Sequence, residues 1–201
     1  MNDAPQLVIP GIEDPVLLAC IARSRKYKQF CKAVDDALAG RCPFCDLDTE
    51  HNKVIEMPEH FGDLRVWHCN PPEKNTRLHF IISPRRHVMS VVDLTHNEWS
   101  AVQDIIAYLQ EHFQFSYAGL LVRDGDATKS SGTVPHLHIH VMVPDGTGRV
   151  ESPFCKTPEE EEAGVRRAIV FEKLRTSEAE SLEAATKTLS EEEYALVKDR
   201  F

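Results

Sequence analysis

The stretch TVPHLHIHVMVP, Thr133 to Pro144, sets His136, His138 and His140 on alternate positions inside an apolar run. On a β-strand such residues share one face, about 6.5–7 Å apart at each step, whereas a helix would splay them around its axis. The β-branched neighbours Val134, Ile139, Val141 and Val143 favour the strand. The sequence therefore predicts a row of three imidazoles backed by Leu137, Ile139 and Val141. Solvated strand faces are filled with Lys, Glu and Thr, so three histidines there point to chemistry. Two imidazoles two residues apart can share a metal ion. Alternatively, one can attack as a nucleophile while its neighbours hold anionic oxygens or fix its tautomer.

Working outward, the Gly/Ser/Thr loop ATKSSGT precedes the histidines, and YAGLLVRDGD before it reads as a strand. DLTHNEWSAVQDIIAYLQEHF is the clearest helix. Thr95 and Glu98 form a capping box, and Trp99, Val102, Ile106, Leu109 and Phe113 form an apolar stripe. TRLHFIISP has strong strand character, and KVIEMPEHFGDLRVWHCNPP suggests two short strands. DPVLLACIARSRKYKQFCKAVDDALAG reads as helical with turns, with Gly40 where a C-cap would lie. Beyond Ser152 the chain is charged and helical, with Thr157 and Ser190 as N-caps, Pro158 at N1, and Glu159 to Glu162 as a solvated helix start. The fold class expected is α+β, with residues 41–150 as strands around one helix and helical extensions over 1–40 and 151–201.

With 201 residues, 42% of them apolar and 27% charged, the chain can build a core without disulfide staples. Its formal charge of −9 argues against a broad face for duplex nucleic acid, yet leaves room for a local cationic pocket and a small anionic ligand. The start MNDAPQLVIPGIEDP lacks a basic leader and an apolar core, and no run of 18 apolar residues spans a membrane. A cytoplasmic protein is the expectation. Cys20, Cys31, Cys69 and Cys155 are scattered and read as buried small hydrophobes. Cys42 and Cys45 differ, because Cys-x₂-Cys in a turn is the usual half of a structural zinc site. A redox pair is the rival, but that motif normally opens a helix. Two further ligands are needed, and His51 is the local candidate. His79 reads as a core or supporting residue, and His60, His68, His96 and His112 as surface or capping residues.

His136-Leu-His-Ile-His140, followed by Val-Met-Val, resembles the signature of the histidine triad (HIT) family of nucleotide hydrolases and transferases. LHFIISPRRHVMSVVDLT, Leu78 to Thr95, is similar to the segment that precedes the signature in that family. CPFC resembles its zinc-bearing branch. Together these cover residues 42–145. The resemblance implies an antiparallel sheet of about five strands with a central helix. It also implies attack by His138 on the α-phosphorus of a nucleotide, with a covalent nucleotidyl-histidine intermediate. His140 and Thr133 would hold phosphate or leaving group, and Arg123 and Asn70 would contact the nucleotide. A structural zinc would sit on Cys42, Cys45, His87 and His136, and the stripe from Trp99 to Phe113 would serve a homodimer.

The chain departs from the family pattern in three places. Gly132 stands where the hydrolases commonly carry Gln, His140 where uridylyltransferase-like branches carry Gln, and Arg123-Asp124 where Asn is usual. Hydrolysis and transfer to another acceptor both remain open on this pattern. Two rivals stand beside it: a zinc hydrolase with His136, His138 and His140 all on the metal, and a nucleotide-binding protein without turnover.

Overall fold

The computed structural model describes residues 5–201, apart from the side chain of His60. The first four residues of the leader argument and the reading of His60 thus lie outside the described residues. The chain forms two compact units, one with Cys42–Asp126 and His136–Phe154, the other with the segment up to Arg41, Ala127–Pro135 and Cys155–Phe201.

The first of these is built on five strands: β1 (Val54–Ile55), β2 (Leu64–His68), β3 (Thr76–Pro84), β4 (Gly119–Val122) and β5 (Ile139–Pro144). They form one sheet in the order β1-β2-β3-β5-β4, with every pair antiparallel. Helix α3 (His96–His112) starts at Thr95, whose hydroxyl accepts from the Glu98 amide while the Glu98 carboxylate accepts from the Thr95 amide. That capping box satisfies two amides that have no partner within the helix. Val102, Ile105 and Leu109 of α3 pack with Val66, Phe80, Ile82, Ile139, Val141 and Val143 of the sheet. Two-residue periodicity therefore sends the alternate residues His79, Ile81, His140 and Met142 to the opposite face. The register pairs Ile81 with His140 and Leu121 with His140, which sets His140 between β3 and β4. The buried stripe of α3 runs through Ala101, Val102, Ile105 and Leu109. Trp99, expected in it, is 52% exposed because it lies on the side of the helix turned from the sheet.

One expectation about the decisive stretch needs correcting. The strand begins at Ile139, so His136 and His138 lie on the approach to it rather than within it. Pro135 has no amide to give a ladder. The Leu137 amide donates to the carbonyl of Val88 at 2.7 Å, while its carbonyl accepts from Ser83 Oγ at 2.9 Å.

In the other unit, α1 (Pro15–Ala22), α2 (Tyr27–Leu38), α4 (Pro158–Arg175), α5 (Leu182–Thr186) and α6 (Glu191–Val197) share one core. Ile9, Ile21, Phe30, Val34, Phe171 and Val197 lie at its centre, each at most 2% exposed. The N-terminal helical stretch resolves into two helices, and Gly40 takes a positive φ of 65° just beyond the second, as its position predicts. Thr157 and Ser190 both close capping boxes. The short α5, capped by Ser181, was not legible. Arg23, buried at 3% exposure, donates to the carbonyls of Ala127, Thr128 and Gly132 and pairs with Glu161 at 3.0 Å. Glu161 is thus no mere solvated charge of a helix start. It neutralises the guanidinium that holds the Ala127–Gly132 loop.

Candidate active site

The three histidines of the signature differ in what each ring nitrogen touches. His136 directs Nε2–H to the carbonyl of Pro84 at 3.0 Å, which leaves the Nδ1 lone pair outward. That lone pair meets Cys42 Sγ at 3.3 Å and Cys45 Sγ at 3.6 Å, and His87 Nδ1 meets Cys45 Sγ at 3.5 Å. The four donor atoms all lie within 4.8 Å of one another. Zinc–sulfur and zinc–nitrogen bonds of ordinary length, at a tetrahedral angle, separate S and N by about 3.5 Å. The donor set and its spacing therefore fit zinc. Cys42 and Cys45 lie in a turn and not at a helix start, which is the arrangement of a metal knuckle. Arg65, which the sequence did not single out, fastens that turn by donating from Nη1 to the carbonyls of Phe44 at 3.0 Å and Cys45 at 2.9 Å. His51 is elsewhere, bonded through Nδ1 to Asp48 at 2.7 Å.

His138 reverses the tautomer. Its Nδ1–H donates to the carbonyl of His136 at 2.7 Å, so Nε2 carries the lone pair. Phe44, between the two cysteines, meets the His138 ring edge-on with centroids 5.2 Å apart, which limits its rotation. Burial pushes His138 down to about 4, so the imidazole is neutral at physiological pH. A neutral imidazole with one nitrogen tied to a backbone carbonyl is ready to attack with the other.

His140 stands next along the face, its ring centroid 4.9 Å from that of His138. Its Nδ1 bonds to His79 Nε2 at 2.9 Å, and its Nε2 faces Arg123 Nη1 at 3.1 Å. Burial is the main reason that His140 is held down to about 2 and His79 to about 4, with Arg123 adding to both. The guanidinium of Arg123 is fixed from behind by Pro153 O, at 3.1 and 2.9 Å from Nε and Nη2, and by Ser152 Oγ at 3.1 Å. Asp124 turns its carboxylate outward, where one oxygen accepts from Ser90 Oγ at 2.8 Å and the Val91 amide at 2.6 Å.

The geometry thus gathers Cys42, Cys45, His87 and His136 in one cluster and brings His138, His140 and Arg123 into a row. Asn70 is exposed in the turn between β2 and β3. Thr133 belongs to the helical unit. Among the described residues, no group of three or more metal-competent donors holds two of the three signature histidines. The arrangement that a zinc hydrolase on all three would need is not formed.

Comparison with known proteins agrees with the motif. Residues 68–147 match the family model of the HIT domain. The chain is 24% identical over 124 residues to the adenosine 5'-monophosphoramidase HINT3 of Danio rerio, an alignment covering 57% of this chain and 74% of that protein. Among solved structures, a zinc-bound histidine triad family protein from Mycobacterium smegmatis is 21% identical, covering 64% of this chain and 92% of its own, with a TM-score of 0.42. A histidine triad protein from Clostridium difficile is 17% identical, covering 55% and 96%, with a TM-score of 0.42. The five-stranded antiparallel sheet, the His-x-His-x-His stretch and the family-model match together identify residues 68–147 as a HIT domain.

Proposed function

We propose that the protein is a nucleotide hydrolase acting at the α-phosphorus of a nucleoside phosphoramidate or dinucleoside polyphosphate, with His138 Nε2 as nucleophile. The observation that carries this reading is the bond from His138 Nδ1–H to the His136 carbonyl, which leaves Nε2 unprotonated beside His140. In the first step Nε2 forms a bond to phosphorus while the bond from phosphorus to the leaving group breaks. The leaving amine or phosphate departs with that electron pair, and an amine also takes up a proton. In the second step water attacks phosphorus, the P–N bond breaks, and the electron pair returns to Nε2 while the water's proton passes to solvent. The Danio rerio relative, named as an adenosine 5'-monophosphoramidase, supports an adenosine phosphoramidate as first substrate to try.

In this reading zinc is structural, held by Cys42, Cys45, His87 and His136. Through these residues the metal would tie the cysteine turn, the segment after β3 and the approach to β5 together, and the reaction would be left to His138 and His140. Asn70 and Thr133 stay with the proposal as sequence-based assignments to nucleotide and leaving group, each tested by its alanine variant. The catalytic part is taken as residues 41–150, and a homodimer through α3 is a further element of the reading.

Intact-mass spectrometry after brief incubation with an adenosine phosphoramidate tests the chemistry. The expected result is a covalent nucleotidyl adduct in wild type, accumulating in His140→Ala and absent in His138→Ala. Zinc should be retained in His138→Ala under native conditions. An adduct that persists in His138→Ala would overturn the assignment.

A further inference from the structure

The helical unit holds two half-buried cations, Lys156 and Arg167, that pair with no carboxylate among the described residues. Burial is the main cause that holds Lys156 below the ordinary lysine value; Glu161 opposes the shift, while Arg167, Arg23 and Arg25 add to it. The Glu161 carboxylate is already committed to Arg23. Arg167 spends Nε on the carbonyl of Ser24 at 3.3 Å, and burial, followed by Arg200 and Arg25, works against its charge. Gly164 of α4 shows how near the two cations come to each other. A methyl group there would stand 3.7 Å from Lys156 Nζ, 3.9 Å from Arg167 Nη2 and 3.2 Å from the carbonyl oxygen of Ala22, so glycine keeps that corner open. Ser24, whose carbonyl Arg167 holds, is 2% exposed, and its buried hydroxyl has no hydrogen-bond partner among the described residues. A buried hydroxyl left without a partner is costly.

We infer that Lys156, Arg167 and the Ser24 hydroxyl form a site for a phosphate-type dianion at the corner between α1 and α4. None of these residues belongs to the histidine row, so the site stands whether or not the nucleotide-hydrolase reading does. The two nitrogens are no more than 7.6 Å apart, the limit set by their distances from one point at Gly164. Charge-assisted bonds of about 2.8 Å to different oxygens of one tetrahedral anion span such a gap, and a further oxygen is left to accept from the hydroxyl. Chloride offers neither the span nor the third acceptor. Two negative charges also offset the repulsion between Lys156 and Arg167, to which Arg25 adds at both. Inorganic phosphate and the terminal phosphate of a monoester present the same chemistry.

Two measurements on the full-length protein test this. The first follows the backbone amides of Ser24 and Gly164 in ¹H–¹⁵N spectra during titration with inorganic phosphate and, separately, with glycerol 3-phosphate. It is run at about pH 8, where phosphate is dianionic, with ionic strength held constant by sodium chloride. Both amides should shift saturably with inorganic phosphate; an equal response to the ester would show that the site also takes a phosphate carried on a larger molecule. Lys156→Met and Arg167→Gln should each weaken phosphate by about 10- to 100-fold, as expected for a lost charge-assisted hydrogen bond. The second measurement is Tm in phosphate-free buffer. Lys156→Met keeps the apolar stem and removes the unpaired charge, so its Tm should equal or exceed that of wild type. Amides that do not move in wild type, or unchanged phosphate affinity in both variants, would overturn the site. So would a marked fall in the Tm of Lys156→Met without phosphate, since the ammonium would then already serve the fold.

Discussion

His136 and His140 are four residues apart in the same stretch, yet their surroundings differ in kind. His136 gives its proton to the Pro84 carbonyl and turns a lone pair toward two thiols. His140 bonds through Nδ1 to His79 and turns Nε2 toward Arg123. Between them, His138 spends its Nδ1–H on a backbone carbonyl and keeps Nε2 bare. The residue type is the same three times. Its chemistry is decided by the neighbour of the other ring nitrogen, so one end of the row suits a soft cation and the other an anion.

The sharpest way to break this contrast is to remove the middle ring. His138→Ala should cut turnover of an adenosine phosphoramidate by about 10⁴-fold or more, as expected for loss of a nucleophile, with zinc content unchanged. A loss below tenfold would mean that His138 does not attack. At the anionic end, His140→Ala should cost about 10²–10³-fold in kcat, the usual cost of deleting one donor to a developing oxyanion. At the metal end, Cys42→Ser should leave the bound metal near zero by atomic absorption and lower Tm by roughly 10 °C, because a ligand to a structural metal is lost. If Cys42→Ser instead kept its metal, the cluster would not be the metal's site.

The smallest effect expected is on acid stability. His79 has an ordinary histidine value when unfolded and about 4 when folded, with burial as the main cause and Arg123 second. Between these values the unfolded chain binds a proton that the folded one does not, so stability falls as pH drops from about 6.5 towards 4. Tm measured across that window should fall less steeply in His79→Gln than in wild type. Equal slopes would show that another group governs the acid limb.

What could be read from the residues was whatever local periodicity or capping chemistry determines. The Thr95–Glu98 box, the strand TRLHFIISP and the pairing of Cys42 with Cys45 all need only neighbours in sequence. His79 could be placed on a face but not given a partner, because its bond to His140 spans 61 residues and depends on strand register. Arg65 left no signal, since an arginine on a half-buried strand is ordinary until a carbonyl-bearing turn is packed over it. The start of β5 was misjudged because strand propensity cannot foresee that the Leu137 amide goes to the Val88 carbonyl. Trp99 fits a helical repeat that the sheet does not cover.

The loop held by Arg23 has a practical consequence for anyone wishing to trim this protein. A fragment spanning residues 42–154 would retain Ala127, Thr128 and Gly132 but lose the buried guanidinium to which all three carbonyls are bonded. The nine residues from Ala127 to Pro135, which lead directly into His136, would keep their sequence and lose their scaffold. The extensions at the two ends of the chain are therefore not removable ornaments. A shortened enzyme would need a replacement donor at that loop, supplied by redesign, before its activity could be compared with that of the whole.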